Sequence, residues 1–371
     1  MEQLQTPYYL IDKSKLQRNM EKIAYVQQKS GAKALLALKC FASWSVFDFM
    51  NQYMAGTTSS SLYEVKLGKE KFGGETHAYS VAYSPDEIDE VVANADKIIF
   101  NSINQLKRYK DNAKNIQRGL RVNPRVSTSS FLLADPARPY SRLGEWDLQK
   151  IKKILPLING FMFHNNCENP SFEKFDEMLT HIENTFGEVL HQVDWVSLGG
   201  GIHFTGKDYP IDQFADRLKQ FSDTFGIQVY LEPGEASITL SCSFETTVLD
   251  IGKNEKDYVI VDSSIEAHLL DLLIYRSEAR LLEDEFHGKG DYQYLVCGKS
   301  CLAGDIFGEY KFEKPLQIGD RVSFCDTAGY SMVKKNWFNG VNMPSIAIKE
   351  LDGTVRLVKQ FGYQDYVESL S

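Results

Sequence analysis

The sequence predicts an α/β protein, a parallel (β/α)8 barrel joined to a β-rich domain. Two observations predict it. Eight short apolar runs alternate with helix-like stretches up to Gly234, and eight is the count that closes a barrel. Beyond Gly234 the rhythm changes to strands punctuated by turns, with few long helical patterns. At 371 residues the chain has room for two or three domains and for a core that needs no disulfide or metal staple.

The first four runs are AKALLALKC from Ala32, YMAGTTS from Tyr53, THAYSVA from Thr76 and DKIIFN from Asp96. RGLRVNP from Arg118, INGFMFH from Ile158, VDWVSLGGG from Val193 and IQVYLEPG from Ile227 follow. Between them, SLYEVKLGKEKFG from Ser61 and IDQFADRLKQFSDTFG from Ile211 carry apolar residues at helical spacing and end at glycine, as a helix C-cap does. An open doubly wound sheet fits the same periodicity, because pattern does not show closure. The strands expected after Gly234 are FETTVLDIGK, KDYVIVDSS, YQYLVCG, DRVSFCD, SIAIKEL and TVRLVKQ. The expected division is a barrel over 13–236 and a β-rich domain built from 1–12 and 237–371, with TPYYLID pairing into the latter.

Composition narrows the function. With 43% hydrophobic and 25% charged residues the chain is ordinary globular protein rather than disordered. Its 41 basic and 50 acidic residues give a net charge of -9, which argues against nucleic acid as a partner and suits a cationic substrate. The six cysteines, Cys40, Cys167, Cys242, Cys297, Cys301 and Cys325, include no CxxC pair, so neither a zinc site nor a disulfide framework is expected. No run approaches the roughly 20 apolar residues of a membrane span, and the first residues lack an apolar signal core. A cytoplasmic enzyme is the expectation.

In a barrel, chemistry sits where the strands end. The residues there are Lys39, Thr58, Asn101, Asn123, His164, Gly199-Gly200-Gly201 and Glu232. Most lysines beside a strand are solvated, but one held partly desolvated presents a neutral amine to a carbonyl. A glycine triplet is often only a tight strand exit. It also lets backbone N–H groups converge on an anion, and without GxGxxG spacing a single phosphate monoester fits better than a dinucleotide. A histidine after an apolar strand is more often structural, yet its ring can stack on a planar cofactor. A carboxylate at a barrel mouth often forms an ion pair, yet facing a pyridine nitrogen it keeps that ring protonated. In the β-rich domain CGKSCLAGD, DTAGY and WFNG have no evident structural explanation, and Cys301 is either an inert thiol or a proton donor.

The ordered set LALKC, FHNNCE, SLGGG, YLEPGE, GKSCLAGD, DTAGY and WFNG resembles the pyridoxal-phosphate decarboxylases of the alanine-racemase fold (fold type III), over nearly the whole chain. That family includes ornithine, arginine and diaminopimelate decarboxylases. The resemblance implies pyridoxal 5'-phosphate as cofactor. It makes Lys39 the covalent anchor, His164 the stacking ring, Gly199, Gly200, Gly201 and Tyr330 the phosphate site, and Glu232 the partner of the ring nitrogen. It also implies a homodimer with shared sites, in which Cys301 of the partner subunit is the catalytic cysteine. Asp305 and Phe338 are then substrate-facing. A racemase of this fold usually has arginine at the ring nitrogen, which Glu232 argues against. A non-catalytic regulator would not need Lys39, His164, Glu232 and Cys301 together.

Departures from the family pattern point to the substrate. Relatives usually read Glu-Pro-Gly-Arg, whereas this chain reads Glu232-Pro233-Gly234-Glu235, and Thr58 replaces an acidic residue near the second strand's end. With DSSIEAH and KNWFNG, these features resemble the branch that acts on carboxylated polyamines. Each amine of such a substrate needs an acidic partner, since an unpaired buried ammonium is costly. Glu235, Asp271 and Asp305 are the expected partners. An amino-acid decarboxylase of the same fold is the alternative.

Overall fold

A computed structural model of the chain describes residues 4–371, so Met1–Gln3, placed with the β-rich domain above, lie outside the described residues. The chain forms two compact units. One is Asn19–Ser237; the other joins the residues up to Arg18 to Ile238–Ser371. The first division therefore falls inside the helix Lys13–Ser30 rather than before it.

The opening strand β1 (Tyr8–Asp12) belongs to the second unit. The first unit is the barrel. Its strands are β2 (Lys33–Ala37), β3 (Gly56–Ser59), β4 (Glu75–Ser80), β5 (Lys97–Phe100), β6 (Gln117–Val122), β7 (Gly160–Phe163), β8 (Trp195–Ser197) and β9 (Gln228–Leu231). All eight pair in parallel in chain order, and β2 pairs with β9 through Lys33–Tyr230 and Ala34–Leu231, which closes the sheet. Strands covered on both faces read as continuous apolar runs, which is why each was visible in the sequence. Side-chain caps start the outer helices: Ser102 accepts from the Gln105 N–H at 3.3 Å and Ser171 from the Lys174 N–H at 3.2 Å.

Leu35, Ile99, Met162, Trp195 and Tyr230 fill part of the barrel interior. The indole of Trp195 fits because two neighbouring positions lack side chains. A Cβ on Gly160 would lie 2.1 Å from Cδ2 of the ring, and one on Gly119 2.5 Å from Cη2. Against this core stands a buried polar cluster. Glu75 accepts from Lys97 Nζ at 2.8 Å, from the Tyr230 hydroxyl at 2.8 Å, from Lys33, and from His77 Nε2 at 3.2 Å. Burial pushes the Glu75 carboxyl up, but the bonds from His77, Lys33, Lys97 and Tyr230 outweigh it and hold the group far below the usual carboxylate range. His77 is fully enclosed, and burial moves it down to about 4 despite the Glu75 carboxylate beside it.

The second unit is an antiparallel-rich sheet. Its remaining strands are β10 (Cys242–Asn254), β11 (Lys256–Val261), β12 (Tyr292–Cys297), β13 (Ile306–Phe312), β14 (Arg321–Cys325), β15 (Ser345–Lys349) and β16 (Val355–Lys359). The order is β13-β12-β11-β10-β1-β15-β16, with β14 pairing to β10. β1 lies antiparallel to β10 and parallel to β15. Burial alternates along the first half of β10, as expected of a strand with one face on a core. That core includes Tyr9, Phe244, Phe307 and Phe324, the last two stacked at 4.8 Å.

The Glu75–His77 pair predicts acid sensitivity. Glu75 is lowered in the folded state, so its contribution is present above the unfolded carboxyl value near ~4.3 and is lost as pH falls toward the folded value. His77 is also lowered, so its contribution fades as pH falls from about 6.5, the unfolded value, toward about 4. The melting temperature should drop from pH 7 to pH 4. Glu75→Gln should melt lower than wild type at pH 7 and fall less steeply below about pH 4. Parallel curves for the two proteins would remove Glu75 from the acid response.

Candidate active site

The site is built by residues immediately beyond the strand ends. Lys39 follows β2 in a turn fixed by the Leu38 N–H to the Thr58 carbonyl at 3.1 Å and the Cys40 N–H to the Ala37 carbonyl at 3.0 Å. His164 follows β7. Its Nε2 is 3.3 Å from Lys39 Nζ, and its Nδ1 accepts from the Gly200 N–H at 3.3 Å. That arrangement places the proton of the neutral ring on Nε2, toward Lys39. Glu232 follows β9 and is 6% exposed. It accepts from the Ser197 hydroxyl at 2.6 Å, and the Thr58 hydroxyl also bonds to it. Its own N–H donates to the Gly199 carbonyl at 2.8 Å.

The glycine triplet is demanded by close approach as well as by conformation. A Cβ on Gly199 would lie 2.4 Å from His164 Nδ1, one on Gly200 2.3 Å from the Glu232 carbonyl oxygen, and one on Gly201 2.3 Å from the Asn166 carbonyl oxygen. Gly199 and Gly201 also have φ of +67° and +82°.

Three titratable groups shift toward their neutral forms. Lys39 is reached from the pocket mouth, but its amine is ringed by protein, and loss of water together with the Arg121 charge lowers its pKa. Burial, then the charges of Lys39 and Arg121, keep His164 well below the usual imidazole value. Burial raises Glu232 against the opposing pull of the Ser197 hydroxyl, Lys39 and Arg121. A less protonated lysine is a nucleophile, and a buried carboxylate with a raised pKa suits a partner that carries its own proton. These donors fit pyridoxal phosphate: an amine for the aldehyde, an imidazole beside it, a side-chain-free turn for a phosphate and a carboxylate for the ring nitrogen.

Sequence reasoning missed four residues of this pocket. Arg121, inside β6, is 4% exposed and donates to the Tyr79 hydroxyl at 2.7 Å and the His164 carbonyl at 3.3 Å. Tyr79, Ser197 and Glu64 complete the set. Glu64 accepts from the Ser60 N–H at 2.5 Å, and burial raises its pKa against the nearby Lys39 charge. A charged residue inside an apolar strand, as in RGLRVNP, is the signal that would have found Arg121.

The other expected residues fall differently. Glu235 accepts from the Cys40 thiol at 3.3 Å, at the first turn of the short helix Glu235–Ile238. Cys301, Asp305, Asp271, Tyr330 and Phe338 all belong to the β-rich unit. There Asp305, expected to face the substrate, is held by its own loop. It is 4% exposed, and its oxygens accept from the Ile265 N–H at 2.7 Å and the Ser300 N–H at 3.0 Å, so it folds the loop that carries Cys301. Asp271 pairs with Lys334. Cys301 is exposed, and its N–H donates to the Asn339 side chain at 2.7 Å, which ties it to the loop bearing Phe338. Tyr330 has φ of +53° and lies under Lys334 Nζ, 5.0 Å from its ring centre. Asn336 donates to the Glu266 carbonyl at 3.1 Å, so the DSSIEAH, CGKSCLAGD and KNWFNG segments form one cluster.

Residues 24–328 match the family described as pyridoxal-dependent decarboxylase, C-terminal sheet domain. The chain belongs to the pyridoxal-dependent decarboxylases. It is 62% identical to the carboxynorspermidine/carboxyspermidine decarboxylase of Herminiimonas arsenicoxydans, over 99% of this chain and 100% of that one. It is 36% identical to the carboxyaminopropylagmatine decarboxylase of Synechocystis, covering 98% and 95% of the two chains. Among solved structures it resembles carboxynorspermidine decarboxylase from Campylobacter jejuni complexed with norspermidine. The TM-score is 0.91 at 36% identity, over 99% of this chain and 100% of that one.

Within this pyridoxal-dependent decarboxylase the Gly200–Glu232 approach gives a direct test. Gly200→Ala forces its new carbon against a backbone carbonyl, and overpacking of this kind costs roughly 1–3 kcal/mol. Cofactor affinity should fall about tenfold or more, read by absorbance titration. Unchanged affinity would show that this close approach does not set the cofactor pocket.

Proposed function

We propose that the protein decarboxylates carboxynorspermidine to norspermidine and carboxyspermidine to spermidine, with pyridoxal phosphate as cofactor. The 62% identity over the full length of the Herminiimonas enzyme carries this reading. The assembled pocket of Lys39, His164, Glu232 and the glycine turn supports it.

Lys39 would hold the cofactor through its amine, His164 would cover the ring face, Gly199–Gly201 would receive the phosphate, and Glu232 would face the ring nitrogen. Pyridoxal phosphate, when bound, supplies the electron sink for the charge left on the α-carbon as carbon dioxide departs. The protein's share is to orient, desolvate and move protons. His164 stays neutral, with Nδ1 pinned to Gly200 and Nε2 facing Lys39, so it adds no charge beside the amine. Ser197 and Thr58 fix the Glu232 carboxyl. Arg121 holds the loop after β7 through the His164 carbonyl. We further infer a homodimer in which Cys301 of the partner subunit returns a proton to the α-carbon; an exposed thiol on an ordered loop is free to serve that way.

Of the three carboxylates expected to meet substrate amines, Glu235 is the one in the barrel unit. It lies three residues after Glu232 and accepts from the Cys40 thiol, next in the chain to Lys39. A charge-assisted bond to a buried ammonium contributes roughly 1.5–3 kcal/mol. Glu235→Gln should therefore lower kcat/KM for carboxynorspermidine about ten- to a hundredfold while the cofactor spectrum holds. If kinetics stay at wild-type values and only the melting temperature falls, Glu235 serves the fold alone.

The function is tested by assaying carbon dioxide release from both carboxylated polyamines, carboxyaminopropylagmatine, ornithine, arginine, lysine and diaminopimelate. The two carboxylated polyamines should be the best substrates. Efficient turnover of diaminopimelate with none of carboxynorspermidine would overturn the assignment. For the dimer, mixed Lys39→Ala and Cys301→Ala subunits should recover part of the activity. No recovery after confirmed subunit exchange would mean that each site is complete within one chain.

A further inference from the structure

Asn101 stands just past β5 and is 6% exposed, yet nothing above gives it a role. Its side chain is the middle of a continuous hydrogen-bond chain. Arg121 Nη1 donates to the Tyr79 hydroxyl at 2.7 Å, and that hydroxyl donates to Asn101 Oδ1 at 3.0 Å. The same Oδ1 accepts from the Gly144 N–H at 2.9 Å, while Asn101 Nδ2 donates to the Arg142 carbonyl at 2.8 Å. At the other end Arg121 Nη2 donates to the carbonyl of His164.

Arg142 and Gly144 form the root of the long segment that leaves the barrel after Asn123. That segment returns beside the same strand: the Asn123 N–H donates to the Glu145 carbonyl at 2.8 Å and the Glu145 N–H to the Arg121 carbonyl at 3.0 Å. Gly144 has φ of +87°, and a Cβ there would lie 3.0 Å from the Asn123 nitrogen, so the return path is sterically tight. The tip, by contrast, presents Phe131, Leu132, Leu133 and Tyr140 to solvent. Thr128 ties the outgoing arm to Asn165 and Cys167, whereas the returning arm is held at its root by the backbone bonds of Glu145 and by two bonds to Asn101.

We propose that Asn101 is a positioning residue that makes the order of the 123–146 loop and the orientation of Arg121 behind His164 a single linked equilibrium. Asparagine suits the task because one amide both accepts twice and donates once in a fixed plane. By linkage, whatever steadies Arg121 in the pocket steadies the loop root, and loosening the root frees Arg121 by the same factor. The consequence for catalysis rests on reading the pocket as the cofactor site; the linkage itself rests on the hydrogen bonds alone.

Hydrogen–deuterium exchange on the holoprotein tests it. Tyr79→Phe removes one oxygen whose hydrogen bonds go to Arg121 and Asn101 and not to the loop. Exchange at Gly144 and across 123–146 should nevertheless rise about tenfold, the equivalent of one lost hydrogen bond. Asn101→Ala should do at least as much, and the double variant no more than Asn101→Ala, since both cut one chain. The visible absorption band of bound cofactor should also shift in Asn101→Ala. Wild-type exchange in Tyr79→Phe, or additive effects in the double variant, would overturn the linkage. An unmoved band in Asn101→Ala, with only a lowered melting temperature, would overturn the positioning role. Absence of any cofactor band in the wild type would instead count against the pocket's assignment, and the exchange result would still decide the linkage.

Discussion

The site depends on how closely three strand ends approach one another. Between β7, β8 and β9 the backbone of Gly199–Gly201 lies against the His164 ring and the Glu232 and Asn166 carbonyls, at distances that leave no room for a Cβ. Interiors packed to this density do not relax cheaply. The approach orients the imidazole through Gly200 and, through the Gly199 carbonyl, fixes the backbone of Glu232. Lys39 enters from β2, which β9 pairs with to close the barrel, so closure and the catalytic arrangement share the same strands.

Charge follows from that packing. Burial drives Lys39 and His164 down, toward the neutral forms that an attacking amine and a stacking ring need, and Glu232 up, toward a proton it would share with a ring nitrogen. Arg121 is the enclosed cation that remains, and it sharpens the first two shifts while restraining the third. Its own place is bound by Tyr79 and the His164 carbonyl. The opposite strategy operates at Glu75, where four donors hold a carboxylate ionised among buried neighbours and the cost of burial is offset by hydrogen bonds. One barrel thus contains a stabilising charged cluster and a reactive pocket tuned away from charge.

Much of this was legible in the sequence because parallel strands buried on both faces announce themselves as apolar runs, and the residue after each run lands at the barrel mouth. That rule placed Lys39, His164, the glycine triplet and Glu232 at one end of the barrel, where Lys39, His164 and Glu232 line one pocket. Closure was not legible, because periodicity carries no information about whether β2 meets β9. β13 was missed because IFGEYKF is interrupted by Gly308, whose φ of +147° and contact with the Tyr310 ring exclude a side chain. The loop contacts of Asp305 and Asp271 were not legible, because their partners, Ile265 and Lys334, lie far away in the chain. Arg121, Tyr79 and Asn101 are polar residues at or inside apolar runs, and only three-dimensional contact reveals that they form one chain.

On the reading proposed here, the barrel pocket at Lys39 holds the pyridoxal phosphate. Borohydride reduction of the holoprotein, followed by mass mapping of its peptides, tests it most directly. A single pyridoxyl label is expected on the peptide containing Lys39 and none in Lys39→Ala. A label on any other lysine in the wild-type protein would contradict it.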